Sequence, residues 1–315
     1  MKKNKLHLMW WHWGAKNFGD QASPYIISRL TDAEVCCQNR TFFSELRLMI
    51  SSALKGRSYS LGQLFETFKN GKKYLVGLGS IINLSSKSAM IWGSGFQDPS
   101  HKFYGGNIYA VRGKYTSEEL VKRGFSKCDV WGDPGLLMPL LYQPKVVKQY
   151  EFGFIPHILE KETTKELLKQ TNSKLIDLQT DDIEFVIKEI LQCKRILSSS
   201  LHGLIIAHSY GIPALFVQYT HKGEGLFKYY DYFSSVGINE YLPIQLNTEI
   251  ISTDEGLVNL FNKFSSVSEI NYDLYRIQER LLNNAPFELR LDFKNENLKT
   301  KLKEEFNYIN GLKCT

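Results

Sequence analysis

The sequence predicts an α/β protein with two doubly wound domains that face each other across a cleft. Short apolar runs alternate with helical patterns, which is typical of β-α-β units and parallel sheets. The length of 315 residues suggests two domains at roughly 100–200 residues per domain. The alternation breaks at 141–151, where Pro144 and a polar Lys-Gln run occur. We therefore predict an N-terminal domain of residues 1–147 and a C-terminal domain of residues 148–315.

Eight strands and four helices account for the alternation. Apolar runs predict strands at 6–11, 74–78, 89–92, 107–111, 152–155, 174–178, 195–198 and 214–217. Helical patterns predict helices at 20–30, 117–123, 183–192 and 201–210. A mostly charged helical tail is expected from about Tyr272 to the end, and it can pack back on the first domain.

The composition is that of a globular protein, with 43% hydrophobic, 23% charged and 13% aromatic residues. No stretch approaches the roughly 18 consecutive apolar residues of a transmembrane helix. The N-terminal segment lacks the apolar core and the cleavage site of a signal peptide. The five cysteines show no C-x-x-C spacing, which argues against a zinc site and fits a reducing compartment. We therefore expect a cytoplasmic protein that needs no metal or other cofactor.

Most of the net charge of +6 lies in one segment, residues 40–73. This segment holds seven basic and two acidic side chains among at least eleven large apolar ones, and we predict a basic helical insertion there. Such a stretch can lie on an anionic membrane, which would make the protein peripheral at the inner face of the cytoplasmic membrane. It can also be a helix pair with a solvated outer face. Nucleic acid is not an expected partner, because no nucleic-acid motif accompanies the charge.

The segments that follow the predicted strands contain the candidate site residues, because ligands of doubly wound sheets bind beyond the carboxyl ends of the strands. After the first strand come Trp13, Asn17 and Asp20. Asp20 can cap a helix whose N-terminus would attract an anion. The alternative is a tight strand-to-helix turn without a ligand.

Arg112 follows a second strand at the predicted cleft edge. Its guanidinium can bind a carboxylate or a phosphate through two parallel hydrogen bonds, and the alternative is a surface salt bridge. Thr116 is predicted to cap the next helix, with Glu119 completing a capping box and Gly124 ending the helix.

The segment that follows the strand at 195–198 is the most informative. Ser199 and Ser200 lead into a helix whose first turn contains His202 and Gly203. The N-terminus of this helix suits an anion. His208 lies about 240° around the helix from His202, so the two do not form a metal pair, and we expect His208 to be packed.

Two further segments contribute candidates from the predicted second domain. His157 ends its first strand and would point toward the cleft. Lys228 and Asp231 follow a glycine-rich loop that could close over a phosphate or could simply be solvated.

Eight short motifs carry a resemblance, and their order and spacing match over most of residues 6–240. They are Asn17-Phe18-Gly19-Asp20, Trp92-Gly93-Ser94-Gly95, Val111-Arg112-Gly113, Gly132-Asp133-Pro134, Ile155-Pro156-His157, Ser200-Leu201-His202-Gly203-Leu204, Gly211-Ile212-Pro213 and Asp231-Tyr232. In these motifs the chain resembles the polysaccharide pyruvyl transferase family.

The resemblance implies a glycosyltransferase-B type fold of two Rossmann-like halves. It also implies transfer of a pyruvyl group from phosphoenolpyruvate to two hydroxyls of a sugar, which forms a cyclic ketal and releases phosphate. The sugar would belong to a capsule, an exopolysaccharide or a lipid-linked precursor of one. Arg112 and His202 match the arginine and histidine of the family's donor site. Many relatives carry arginine where this chain has Ser200, so other groups would complete the anion site.

For this chemistry we expect His202 to be the first acid/base group, His157 the second, and Asp20 a base on the acceptor. The expected donor-binding residues are Arg112, Ser199, Ser200, Gly203 and Lys228, and the expected acceptor-binding residues are Trp13, Asn17 and Asp231. Two alternatives stay open at this point. One is a nucleotide-sugar glycosyltransferase in which Glu224 or Asp231 binds the ribose, and the other is a non-catalytic protein that binds glycans or membranes.

Overall fold

A computed structural model describes residues 4–11, 16–38, 46, 49–50, 73–168, 173–218, 225–246 and 253–313 of the chain. Trp13, Glu224 and most of the predicted insertion at 40–73 lie outside the described residues.

Residues from the first half of the chain form a parallel sheet of five strands. The strands are β1 (Lys5–Met9), β2 (Glu34–Cys37), β3 (Tyr74–Val76), β4 (Ala89–Trp92) and β5 (Asn107–Ala110). Their order in space is β2-β1-β3-β4-β5, and every neighbouring pair is parallel. Strands β3 and β4 are continuous apolar runs that are buried throughout, as expected for a parallel sheet that is covered on both faces.

A second parallel sheet of five strands follows. Its strands are β6 (Tyr150–Ile155), β7 (Lys174–Leu175), β8 (Cys193–Ser198), β9 (Ala214–Gln218) and β10 (Ile244–Gln245). The order is β10-β9-β8-β6-β7, so both sheets have the order 2-1-3-4-5 when strands are counted from the first strand of each sheet. In this order the winding direction reverses between the first and third strands, which is the topological switch point.

The helices connect and cover these strands. They are α1 (Phe18–Leu30), α2 (Lys114–Lys122), α3 (Met138–Leu141), α4 (Lys161–Leu167), α5 (Ile183–Leu191), α6 (Leu201–Ser209), α7 (Phe227–Val236), α8 (Asp254–Lys263), α9 (Leu274–Asn283) and α10 (Asn295–Lys313). Helix α6 is apolar on nearly all sides, and eight of its nine residues are buried, as expected for a core helix. The single exception is His202.

The C-terminal helices pack against segments that precede residue 147. Trp92 Nε1 donates to the carbonyl of Leu281 at 2.9 Å, and Tyr308 Oη donates to the carbonyl of Pro144 at 2.7 Å. The predicted boundary at 147–148 falls between β5 and β6, and the division into two domains stays a prediction.

The α/β class and the parallel sheets confirm the sequence-based expectation, but some elements differ. The sequence did not predict β2, β10 or helices α3, α4, α7 and α8, and the strands among these are short and lie at sheet edges. The predicted Thr116 cap was wrong, because α2 begins at Lys114. The N–H and hydroxyl of Thr116 donate instead to the carboxylate of Asp231 on α7, each at 2.7 Å. Gly124 follows α2 with φ +81°, so the predicted end is confirmed.

Candidate functional site

A cavity of about 240 Å³, here called the front cavity, lies at the carboxyl ends of both sheets. Its lining includes Trp10 after β1, Ser80 after β3, His157 after β6 and Ser200 after β8. These are the strand pairs that flank the switch point of each sheet. Both switch points therefore open on one cavity, which is where a doubly wound sheet binds its ligand.

Helices α1 and α6 both begin at the front cavity. Asn17 caps α1, and its Oδ1 accepts a hydrogen bond from the Gly19 N–H at 2.9 Å. Ser200 occupies the N-cap position of α6, and its own N–H donates to Ser198 Oγ at 3.0 Å. The first N–H groups of a helix have no partner within the helix and carry partial positive charge. Two such helix ends make the front cavity favourable for an anion.

The His202 ring lies against Gly19. A Cβ atom on Gly19 would lie 2.5 Å from His202 Cε1 and even closer to Nδ1. The glycine therefore provides the space that the imidazole occupies beside the first turn of α1. Of the residues of α6, Leu201 and His202 line the front cavity, and His202 is the polar one.

Asp20, in the first turn of α1, lines the same cavity. Burial raises the pKa of the Asp20 carboxyl to about 6. A carboxyl group with a pKa close to neutrality can both accept and return a proton in a catalytic cycle. The front cavity thus combines an imidazole with a carboxyl group whose pKa lies close to neutrality.

Three lysines contribute ammonium groups to the lining of the front cavity. Lys161 Nζ lies 2.6 Å from an Asp177 carboxylate oxygen, and both residues line the cavity. Lys16 Nζ lies 2.9 Å from Asp181. Lys228 is contributed by the first turn of α7. The carboxylates offset the charges of Lys161 and Lys16, so the positive helix ends remain the main feature that favours an anion.

The structure brings six of the sequence-predicted site residues together. The front cavity is lined by Asn17, Asp20, His157, Ser200, His202 and Lys228. Ser199 lies behind it, where its Oγ accepts from the His157 N–H at 2.7 Å and its carbonyl accepts from Tyr229 Oη at 2.8 Å. Gly203 packs against Ser198 and Ile155 with no room for a Cβ.

Arg112 and Asp231 form a fully buried ion pair outside the lining of the front cavity. Arg112 Nε donates to Asp231 Oδ2 at 2.9 Å, and the other guanidinium nitrogens donate to Ser80 Oγ and to the Phe96 carbonyl at 2.6 and 2.5 Å. The alternative of a surface salt bridge was therefore wrong, because Arg112 does form a salt bridge but the pair is buried. Arg112 reaches the front cavity only through Ser80, so a direct contact with a ligand would require its guanidinium to leave this ion pair.

Several lining residues were not expected from the sequence. Ser80 follows β3, so the strand-end rule applied to that strand indicates it. Lys161 and Asp177 gave no sequence signal, because their approach to the site depends on β7 lying next to β6. Trp10 and the exposed Trp11 also line the front cavity.

The described residues contain neither a cluster of metal ligands nor a membrane-spanning helix. No group of three or more His, Cys, Asp or Glu side chains in these parts of the chain could hold a metal ion. Among the same residues, no helix combines the length and the apolar character that a membrane span requires.

Comparison with known proteins identifies the family. The profile of the family described as polysaccharide pyruvyl transferase matches residues 51–221, which is more than half of the chain. A similar protein is "Uncharacterized protein L143" of Acanthamoeba polyphaga mimivirus, with 34% identity over 236 residues that cover 70% of this chain and 71% of that protein. The profile match includes Ser80, His157, Ser200 and His202 of the front cavity. The chain belongs to the polysaccharide pyruvyl transferase family.

Proposed function

We propose that this protein transfers a pyruvyl group from phosphoenolpyruvate to two hydroxyls of a sugar, forming a cyclic ketal and releasing phosphate. The observation that carries this proposal is the meeting of two helix N-termini and lysine ammonium groups at one cavity. Phosphoenolpyruvate bears a phosphate and a carboxylate, and helix N-termini favour such groups. Family membership supports the same reaction.

The acceptor in this proposal is a sugar of a cell-surface polysaccharide or of its lipid-linked precursor, met in the cytoplasm. Contact with an anionic membrane through residues 40–73 belongs to the same proposal, although most of that segment lies outside the described residues. We also propose two Rossmann-like domains of the glycosyltransferase-B type, with the boundary at 147–148. The identical strand order of the two sheets supports this arrangement.

The donor would bind at the start of α6, where Ser200, His202 and Lys228 line the cavity. The acceptor would lie toward α1, beside Asn17 and Asp20. Trp11 is 45% exposed and lines the same cavity, so its indole face is available to a sugar ring. Such an arrangement would hold the hydroxyls against C2 of the donor and reduce the entropic part of the barrier.

The reaction would begin with protonation of the donor's C3 methylene, which gives oxocarbenium character at C2. One sugar hydroxyl then adds to C2, the bond from C2 to the phosphate oxygen breaks, and the second hydroxyl closes the ketal. The two hydroxyl protons balance the proton gained by the new methyl group and the proton carried by the released phosphate. His202 would supply the proton to carbon, and Asp20 would accept one from a hydroxyl. His157, which also lines the cavity, is the second candidate for proton transfer.

Phosphoenolpyruvate is expected to raise the melting temperature of the protein, because it binds only the folded state. At a concentration of 100 Kd the stabilisation is about 2.7 kcal/mol, and Lys228→Ala should remove most of it. Differential scanning fluorimetry measures this effect. Lys263→Ala is the matched control, because Lys263 is an exposed lysine on α8 that does not line the cavity. Stabilisation by a nucleotide sugar and none by phosphoenolpyruvate would overturn the proposal.

The pH dependence of kcat/KM is expected to show an ionisation near pH 6. Since the pKa of Asp20 is raised to about 6, and the base must be unprotonated, kcat/KM should fall about tenfold per pH unit as the pH decreases below that value. Asp20→Asn should lower the rate and remove this dependence. Asp129→Asn, at an exposed carboxylate paired with Lys127, should retain it. An unchanged pH profile in Asp20→Asn would exclude Asp20 as the base.

A further inference from the structure

A second cavity of about 210 Å³, here called the rear cavity, lies between the C-terminal end of α6 and helices α9 and α10. It is lined by His208 on α6 and by Ile212 in the turn that follows α6. Gln278 on α9 and Leu302 and Glu305 on α10 also line it. It shares no lining residue with the front cavity. The reaction proposed above therefore does not use it.

The lining of the rear cavity is apolar with a negative bias. Its lining contains no lysine or arginine and three carboxyl groups: the buried Glu305 and the exposed Glu269 and Asp273, of which Asp273 also pairs with Arg276 at 3.5 Å. Burial lowers the pKa of His208 to about 4, so this histidine adds no positive charge near neutral pH. The carboxyl end of α6, which carries partial negative charge, also lies at this cavity. These features favour a cation, and they act against the partial positive charge of the α9 N-terminus, where Asp273, Leu274 and Tyr275 line the same cavity.

Glu305 is the buried carboxyl group in the lining of the rear cavity. It is only 2% exposed, and its Oε1 accepts one hydrogen bond, from Gln278 Nε2 at 2.6 Å. Gln278 Nε2 also donates to the Leu136 carbonyl at 2.8 Å, so the amide is fixed in place. Within the described parts of the chain, no basic side chain forms an ion pair with Glu305. A buried carboxyl group without a cationic partner is costly to ionise, and a cation in the cavity would remove that cost.

We propose that the rear cavity binds a small organic cation, a primary ammonium attached to an apolar alkyl or aromatic body. The ammonium would lie against the Glu305 carboxylate, where it replaces water as the partner of that charge. The apolar body would pack on Leu302, Ile212 and Ile309, which line the cavity. An inorganic cation would leave these apolar walls without a partner, and an anion would find no cationic side chain among the lining residues.

Binding is coupled to the ionisation of Glu305. Burial raises the pKa of the Glu305 carboxyl to about 8, and an ammonium binds its ionised form. The affinity should therefore rise about tenfold per pH unit up to about pH 8 and be constant above it. The titratable groups on neighbouring elements are His208, Tyr210, Glu269, Asp273 and Tyr275. Burial holds the pKa of His208 far below this range and that of Tyr210 well above it.

The test uses n-butylammonium chloride as the probe, with 1-butanol as its uncharged counterpart, and isothermal titration calorimetry from pH 6 to pH 9. The wild-type protein should bind butylammonium at least about tenfold more tightly than 1-butanol at pH 8.5, with the pH dependence described above. Glu305→Gln keeps the acceptor for Gln278 and should weaken binding by at least about tenfold and make the affinity independent of pH.

Two further variants separate the cavity from general charge effects. Glu304→Gln removes the adjacent, exposed carboxylate of α10 and should bind as the wild type does. Ile309→Trp fills the cavity while keeping Glu305, and it should abolish binding. This variant tests the proposal even if Glu305→Gln does not fold. Absence of butylammonium binding by the wild type at pH 8.5 would overturn the proposal. Equal affinities for the two probes, or for wild type and Glu305→Gln, would also overturn it.

Discussion

Replacement of Arg112 by leucine is expected to lower the free energy of unfolding by about 3–5 kcal/mol, because it leaves the Asp231 carboxylate buried without its cationic partner. Both side chains of this pair have no exposed surface, so water cannot replace the guanidinium. Urea denaturation followed by circular dichroism measures the loss. Arg276→Leu is the matched control, because the Arg276–Asp273 pair lies at the surface and should contribute less than about 1 kcal/mol.

The double variant Arg112→Leu with Asp231→Leu should be less destabilised than the sum of the two single variants, since it leaves no buried charge. A loss in Arg112→Leu no larger than that of Arg276→Leu would contradict the role described here. In that case the ion pair would open readily in solution, and the guanidinium would be available to the donor as the sequence predicted.

Replacement of His202 by glutamine is expected to lower the turnover of pyruvyl transfer by about 10²–10⁴-fold, the usual contribution of a group that transfers a proton. The fold should be retained, because His202 is the one residue of α6 that is not buried. Phosphate release from phosphoenolpyruvate in the presence of an acceptor measures turnover, and the melting temperature reports folding. Near-normal turnover would show that His202 is not needed for proton transfer. Loss of the fold would show that its role is structural.

Gly19→Ala offers an independent test of the same residue. A methyl group at this position overlaps the imidazole, so it should displace His202 without changing its chemistry and lower turnover to a similar extent. Combined with His202→Gln it should cause little further loss, because both changes remove one function. Gly311→Ala, where a Cβ has open space, should leave turnover unchanged. Normal turnover in Gly19→Ala would contradict the packing of His202 described here.

The sequence was informative where a pattern of local residues determines the element. Continuous apolar runs identified strands such as β4 and β9, and the rule for strand ends identified His157, Ser200 and His202. The order of strands within each sheet is not encoded in such local patterns. The positions of Lys161 and Asp177 depend on that order, because β7 must lie beside β6 to bring them to the cavity. Short edge strands such as β10, with two residues, carry too few side chains to form a pattern.

The role of Arg112 illustrates a second limit. A polar residue at a strand end can point toward the cleft or into the protein beneath it, and the local sequence is the same in both cases. The position of the hydrogen-bond partner decides which direction Arg112 takes, and this partner, Asp231, lies 119 residues further along the chain. The burial of both side chains is therefore a property of the tertiary structure alone.

The glycines around this ion pair change how the short motifs should be counted. A Cβ on Gly113 would overlap the main chain of Asp231, and one on Gly95 would lie 2.7 Å from both Arg112 Cζ and Asp231 Oδ2. Three motifs that look independent in the sequence, Gly-Ser-Gly, Val-Arg-Gly and Asp-Tyr, thus meet in a single contact. Homologous chains should vary at positions 95, 113 and 231 in concert, and these motifs together count as one observation when function is inferred from sequence.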